Sequence, residues 1–255
     1  MNNSTECVGC KDGKDGLDFD FVMAFQPIVD TAAHRVWGYE ALVRGAEGQG
    51  ARWVLDQIND VNRYRFDQAC RVKAIAKAGE LFKDDHTRLS INFMPNAVYD
   101  PAVCIRASLA AAEKVGFARE RIMFEFTENE RLDVEHVKGI IAQYQRLAFL
   151  VALDDFGAGY AGLGLLSEFQ PDLIKIDMRL LRDIDQSAAK RTIVAGVVAI
   201  ARALNMEVIA EGVETEAELT ALMATGINLY QGYLFSKPAI GMLPAVRMPP
   251  AGAGV

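Results

Sequence analysis

Apolar residues along this chain fall into two alternating patterns. Short runs are rich in β-formers, and longer stretches repeat apolar and small residues at helical spacing. The first run covers residues 21–29, with Pro27 marking an edge strand or a strand end, and the second covers 35–43. The short turn at 30–34 makes these two an antiparallel pair. Helical patterns follow at 51–59 and 62–81, the second with Phe66, Ala69, Cys70, Ala74, Ala78 and Leu81 along one face. From there the chain repeats a strand-then-helix rhythm. Strands fall at 88–93, 121–126, 149–153, 173–176, 207–210 and 227–234, with helices at 101–115, 133–147, 162–169, 187–204 and 215–225 between them. Eight strand-like runs in 255 residues predict an α/β fold, a modified TIM-type (β/α)8 barrel with its first strand antiparallel to its second. The alternative is an open doubly wound sheet. Its Gly-x-Gly-x-x-Gly turn is missing after the first strand, and Gly157-x-Gly159 lacks the third glycine.

Polar residues interrupt these apolar runs near the same end of strand after strand. Glu40 lies near the end of the second strand, Asn92 near the end of the third, Glu125 near the end of the fourth, and Asp154 with Asp155 after the fifth. Lys175 falls inside the sixth, Glu211 directly follows the seventh, and Gln231 lies in the last. Charged groups in apolar strands are costly to bury unless paired or metal-bound, and in a barrel the parallel strand ends open on one face. These groups are therefore expected to converge on one mouth. Asp154 and Asp155 stand where a strand gives way to Gly157-Ala158-Gly159. Two carboxylates there repel by roughly 4 kcal/mol at about 4 Å and an effective dielectric near 20, which favours a proton or a cation between them. A turn with Asp as a helix cap is the other reading of that pair. Five carboxylates with the amide oxygen of Asn92, and no His or Cys in these segments, are hard ligands suited to magnesium or manganese. They exceed what one ion needs, so two ions sharing Asp154 are expected. Ions about 3.5–4 Å apart suit phosphoester cleavage. Lys175 reads either as a salt bridge or as a group that orients water and offsets negative charge. Gln231 alone reads as a satisfied polar residue inside the barrel.

Composition narrows the partners. The chain is 51% hydrophobic and 24% charged, enough to bury a large core in one domain. A net charge of -7 with no basic stripe argues against binding long nucleic acid, and a phosphate-bearing ligand would need cations. Residues 1–20 lack the apolar centre of a signal peptide, and the apolar stretch at 193–204 is interrupted by Arg202 and too short to span a bilayer. A cytoplasmic location without membrane attachment is expected. Cys70 and Cys104 fall in helical patterns and read as buried or half-buried thiols. Cys7 and Cys10 form a Cys-x-x-Cys in a Gly/Lys/Asp-rich leader, either half a zinc site or part of a flexible tail. The expected organisation is a flexible leader at 1–18, a folded domain at 19–245 and a mobile tail at 246–255.

The set Glu40-Ala41-Leu42 with Val43-Arg44, Glu125-Phe126-Thr127-Glu128, Asp154-Asp155-Phe156-Gly157, Lys175-Ile176-Asp177, Glu211-Gly212-Val213-Glu214 and Gln231-Gly232-Tyr233, in this order, resembles the EAL domain. That family is the bacterial phosphodiesterase of cyclic di-GMP, and the resemblance runs from about Phe21 to Pro238. It implies a stand-alone EAL protein that linearises cyclic di-GMP to 5′-pGpG with two magnesium or manganese ions. By that resemblance Glu40, Asn92, Glu125 and Asp154 hold one ion, and Asp154, Asp155 and Glu211 the other. Lys175 contacts the attacking water and Gln231 supports the site. Gln26, Glu40, Ala41, Leu42, Arg44, Asn92, Asp177 and Gln231 form the substrate-binding set, Arg44 through phosphate. Read without the family, Arg44 is an ordinary solvated strand-end charge. Glu128 and Glu214 match loop-supporting positions, although Glu128 reads equally as a first-turn acid of the next helix. The loop of residues 154–159 leads into the usual dimer contact of the family. Met94 stands where the family usually has Ser, and Ala158 where it usually has Thr. The chain also resembles a subset associated with blue-light sensing modules, some of them poor enzymes. A catalytically silent module that binds cyclic di-GMP or a protein is the alternative function.

Overall fold

In the computed structural model, which describes residues 17–127, 133–159 and 162–250, the β-forming runs close into a ring. Strands β1 (Phe21–Asp30) and β2 (Arg35–Gly45) form the antiparallel pair. β3 (Arg88–Asn92), β4 (Ile122–Thr127), β5 (Leu150–Phe156), β6 (Leu173–Ile176), β7 (Glu207–Ala210) and β8 (Leu229–Gln231) follow, each parallel to its predecessor. β8 then pairs with β1, so the eight-stranded barrel closes with β1 antiparallel to both neighbours. A short ninth strand, β9 (Ala239–Ile240), adds to β1 outside the ring.

Around the barrel lie α1 (Ala51–Leu55), α2 (Arg63–Leu81), α3 (Pro101–Cys104), α4 (Arg106–Val115), α5 (Val134–Arg146), α6 (Gly162–Glu168), α7 (Met178–Leu181), α8 (Ala188–Ala203) and α9 (Glu216–Met223). Their ends carry their own chemistry. Asp133 and Ser187 cap α5 and α8, and Thr215 with Glu218 forms a capping box on α9. The helix expected over 51–59 stops at Leu55. Asn59 and Asn62 there turn their side chains onto nearby amides, taking Val61 N–H at 2.9 Å and Asn59 N–H at 2.8 Å. The helix expected over 101–115 is two helices meeting at Ile105. The last strand is also shorter than its apolar run, because Gly232 turns the chain against the backbone of Val213.

The core has two compartments. Ile28, Trp37, Met123, Ala152, Leu173, Ile209 and Leu229 plug the barrel interior. A larger cluster fills the layer between strands and helices, and Cys70 and Cys104 are free, buried thiols in it. The first residues of the expected tail make contacts with the domain. Val246 and Met248 pack on the core, Arg247 N–H donates to Phe235 O at 3.0 Å, and its guanidinium lies 2.8 Å from Glu216. The alternation of Val246 and Met248 gives this segment an apolar side to bury, a signal that its Pro and Ala content masks. Cys7 and Cys10 lie outside the described residues. Among the described residues, no helix is long and apolar enough to cross a membrane.

Gly232 is a packing requirement: a Cβ there would fall 2.0 Å from Val213 O and 2.4 Å from Val213 N. Gly232→Ala is expected to cost about 3 kcal/mol in urea unfolding. Gly139→Ala, in open space inside α5, is expected to gain about 0.5–1 kcal/mol. Equal stabilities for the two variants would contradict this reading.

Candidate active site

Strand alternation builds the site directly on the apolar plug. Two residues beyond Met123, Ala152, Leu173, Ile209 and Leu229 stand Glu125, Asp154, Lys175, Glu211 and Gln231. β1 runs the other way, so its polar residue, Gln26, comes two before Ile28. A period of two keeps all of these on the inner face, one layer above the plug and toward the open end.

At the centre of that layer is a buried ammonium. Lys175 Nζ lies 2.6 Å from Glu125, 2.6 Å from Glu211, 3.4 Å from Asp154 and 3.5 Å from Glu40. Glu40 is fixed from both sides. Asn92 Nδ2 donates to one of its oxygens at 2.8 Å and Gln231 Nε2 to the other at 2.6 Å. Gln231 also donates to Gln26 Oε1 at 3.2 Å, and Gln26 donates to Ser236 O at 3.3 Å. With its nitrogen engaged by Glu40, Asn92 has its amide oxygen to offer at the exposed end of β3.

The charges do not balance. Among the described residues, four carboxylates surround one ammonium, a formal excess of three negative charges in a region where Glu125 and Lys175 are 0% exposed. Burial pushes the Glu125 carboxyl up to about 8, with Glu40 and Asp154 adding to the rise and Lys175 opposing it. Burial and then Asp154 raise Glu211 well above the carboxylate range, against the pull of Lys175. Burial opposes the charge on Lys175, but Asp154, Glu125, Glu211 and Glu40 together hold its ammonium well above the ordinary lysine range.

This donor set fits divalent cations. Ligand oxygens of Asp154, Asp155 and Glu211 lie within 4.8 Å of one another. Among the described residues, Glu125 accepts no hydrogen bond of ordinary geometry at either oxygen, nor does Asp154 at Oδ1, despite the nearby ammonium. All the donors are hard oxygens. Asp155 reaches the cluster from a left-handed backbone, φ +56°, followed by Gly157 at φ +91°, so the chain reverses sharply after β5.

The remaining expected site residues are placed less uniformly. Asp177 lines the mouth and caps α7, accepting from Arg179 N–H at 2.9 Å. Arg44 is half-buried and donates to its neighbour's Val43 O at 2.6 Å, and Leu42 is half-buried on the same strand end. Ala41 does not line the mouth. It lies on the opposite face of β2 from Glu40 and packs in the outer core layer, because successive strand residues face opposite sides. Glu214 sits beside the mouth, 2.9 Å from Arg182, whereas Glu128 lies outside the described residues. Met178 and Tyr233 also line the opening, a cavity of about 360 Å³. Neither was picked out from sequence: Met178 follows Asp177 without a signal of its own, and Tyr233 appeared as part of a motif.

Comparison with known proteins agrees with this geometry. The EAL domain profile matches residues 17–238. The chain belongs to the EAL domain family. A standalone EAL protein from Vibrio cholerae O395, in its c-di-GMP-bound form, is 50% identical with a TM-score of 0.87, covering 91% of this chain and 97% of that one. BlrP1 of Klebsiella pneumoniae, in a complex with manganese and cyclic di-GMP, is 37% identical with a TM-score of 0.82, covering 87% and 56%. Among curated relatives, the blue light- and temperature-regulated antirepressor BluF of Escherichia coli K12 is 32% identical over 227 residues. That match covers 89% of this chain and 56% of BluF, so the chain spans about half the length of that relative.

The raised carboxyls give a pH signature. Between about 4.5 and 8, the unfolded chain has released the Glu125 proton while the metal-free fold still holds it. Proton binding is then greater in the folded state, so stability falls as pH rises through that window. The melting temperature of chelator-treated protein is expected to drop from pH 5 toward pH 8, and manganese to restore it increasingly at the higher pH. A melting temperature that climbs across the window without metal would contradict the assignment.

Proposed function

We propose that this EAL domain is a metal-dependent phosphodiesterase that hydrolyses cyclic di-GMP to linear 5′-pGpG with two magnesium or manganese ions. The observation that carries the reading is the excess of carboxylates around Lys175, next to the three-carboxylate cluster of Asp154, Asp155 and Glu211. Support also comes from the cyclic di-GMP bound by the Vibrio cholerae protein and the manganese and cyclic di-GMP bound by BlrP1. In this reading Glu40, Asn92, Glu125 and Asp154 hold one ion, and Asp154, Asp155 and Glu211 the other. When bound, the ions supply Lewis acidity, lowering the pKa of water and offsetting charge on the phosphoryl and leaving oxygens.

The chain's own groups orient the reactants. Lys175 donates to the attacking water and offsets charge at the phosphate. Asn92 and Gln231 keep Glu40 facing the mouth, Arg44 takes a phosphate through its guanidinium fork, and Gln26, Leu42 and Asp177 contact the ligand. A water oxygen bonds to phosphorus as the bond from phosphorus to the 3′ oxygen breaks. The water gives up one proton and the departing 3′ oxygen gains one, leaving a 5′-phosphate and a 3′-hydroxyl. Glu214 and Glu128 support the loops at the mouth. The loop of residues 154–159 contributes to a homodimer in the bacterial cytoplasm.

The name of BluF as an antirepressor favours a second reading, a module that binds cyclic di-GMP or a protein without turnover. Incubating the purified chain with cyclic di-GMP and magnesium separates the two. Appearance of pGpG, abolished by chelator, is expected; binding by calorimetry with no product would favour the silent module. Glu40→Ala is expected to lower kcat at least about 100-fold, since outer-shell changes alone often cost 10–100-fold. Native turnover in that variant would remove Glu40 from the site. Calcium is expected to support binding with little hydrolysis, because its longer and looser coordination misplaces the reactants. Equal rates in calcium and manganese would contradict the geometric requirement.

A further inference from the structure

Behind the mouth, between α2 and the barrel wall, is a second buried ion pair. Asp67 and Arg71, one helical turn apart, are 2% and 0% exposed. Arg71 Nη2 lies 2.6 Å from Asp67 Oδ2, and Nη1 donates to the Tyr144 hydroxyl of α5 at 2.7 Å. The guanidinium also sits 5.2 Å from the ring centre of Phe93 and 5.3 Å from that of Phe124. Such burial is weak evidence of a stabilising role, because desolvation offsets the attraction and apolar pairs of similar volume are often as stable. Besides the Arg71 bond to Tyr144, the pair makes a bond to the backbone beside the mouth that an apolar replacement could not. Asp67 Oδ1 accepts the Met94 N–H at 2.9 Å.

The position of that amide matters. Phe93 N–H still bonds the neighbouring strand, at Glu125 O, 2.9 Å away. Met94 is where the chain leaves the sheet, and its amide takes its acceptor from α2. Two residues earlier is Asn92, whose amide bonds Glu40 at 2.8 Å. We infer that Asp67, balanced by Arg71, is a positioning residue for the mouth: it fixes how β3 ends and so aims Asn92 at Glu40 and the cation site. Its consequence for metal rests on the function proposed above; its local geometry does not.

Two paired variants of the full chain test this while avoiding an uncompensated buried charge. Asp67→Leu with Arg71→Met removes the acceptor, and Asp67→Asn with Arg71→Met keeps an amide oxygen for Met94 without the charge. Amide exchange at Met94 in metal-free protein is expected to be at least about tenfold faster in the leucine variant and within about twofold of native in the asparagine variant. The manganese Kd, by calorimetry, is expected to weaken about tenfold in the first and by less than about twofold in the second. A folded leucine variant with native exchange and native manganese affinity would overturn the inference, as would equal losses in both variants. If the native chain binds no manganese, the proposed function fails, and exchange at Met94 still decides the positioning role.

Discussion

One ammonium held among four carboxylates above an apolar plug is the constraint that the rest of this structure serves. Lys175 cannot neutralise Glu40, Glu125, Asp154 and Glu211 together, and the low exposure of Glu125 and Lys175 keeps water from screening what is left over. Such an arrangement persists only with protons or further cations. The raised carboxyls of Glu125 and Glu211 express the first solution, and the oxygen cluster of Asp154, Asp155 and Glu211 offers the second. On the proposed function, a proton and a metal would compete for Glu211, which belongs to both sets. Cations held there, as proposed above, would give an anionic substrate reason to enter an acidic mouth.

The frame that holds these charges together is spread across the whole chain. Closure through a reversed β1 places Gln26 beside both Glu40 and Gln231, linking the first, second and last strands of the barrel in one amide network. Around the rim, backbone that leaves the sheet is caught by buried or partly buried side chains. Arg182 reaches Gly212 O at 3.3 Å and Glu218 at 3.2 Å, tying down the turn that carries Glu211. Glu218 in turn takes the amides of Asp183 at 3.2 Å and Glu214 at 3.0 Å. Asp67 does comparable work beneath Asn92. Precision at the mouth therefore depends on polar contacts outside it as much as on the strands themselves.

Much of this was legible in the amino-acid order because strands speak with a period of two. Glu125, Asp154, Lys175 and Glu211 stand out as charges against apolar runs, and their place near the strand ends locates the mouth. Eight alternating runs were enough to indicate the closed barrel, and the short 30–34 turn to indicate the reversed first strand. Other features had weaker local signals. Ala41 belonged to a motif, but alternation sends it outward, and a motif does not say which side a residue faces. Asp67 and Arg71 were overlooked because the buried face of α2 was read by its apolar members alone; an oppositely charged pair at i and i+4 usually lies in solvent. The early ends of α1 and β8 depend on side-chain contacts with amides and on a close backbone approach at Gly232, which composition does not report.

The central claim is that the mouth gathers two hard cations about Asp154. Anomalous diffraction from crystals grown with manganese and cyclic di-GMP measures this directly. Two manganese peaks are expected in the mouth, both adjoining Asp154, one reached by Glu40, Asn92 and Glu125 and the other by Asp155 and Glu211, with a phosphate of the ligand against them. Cyclic di-GMP seated in the mouth with no manganese peak, or peaks away from these side chains, would contradict it.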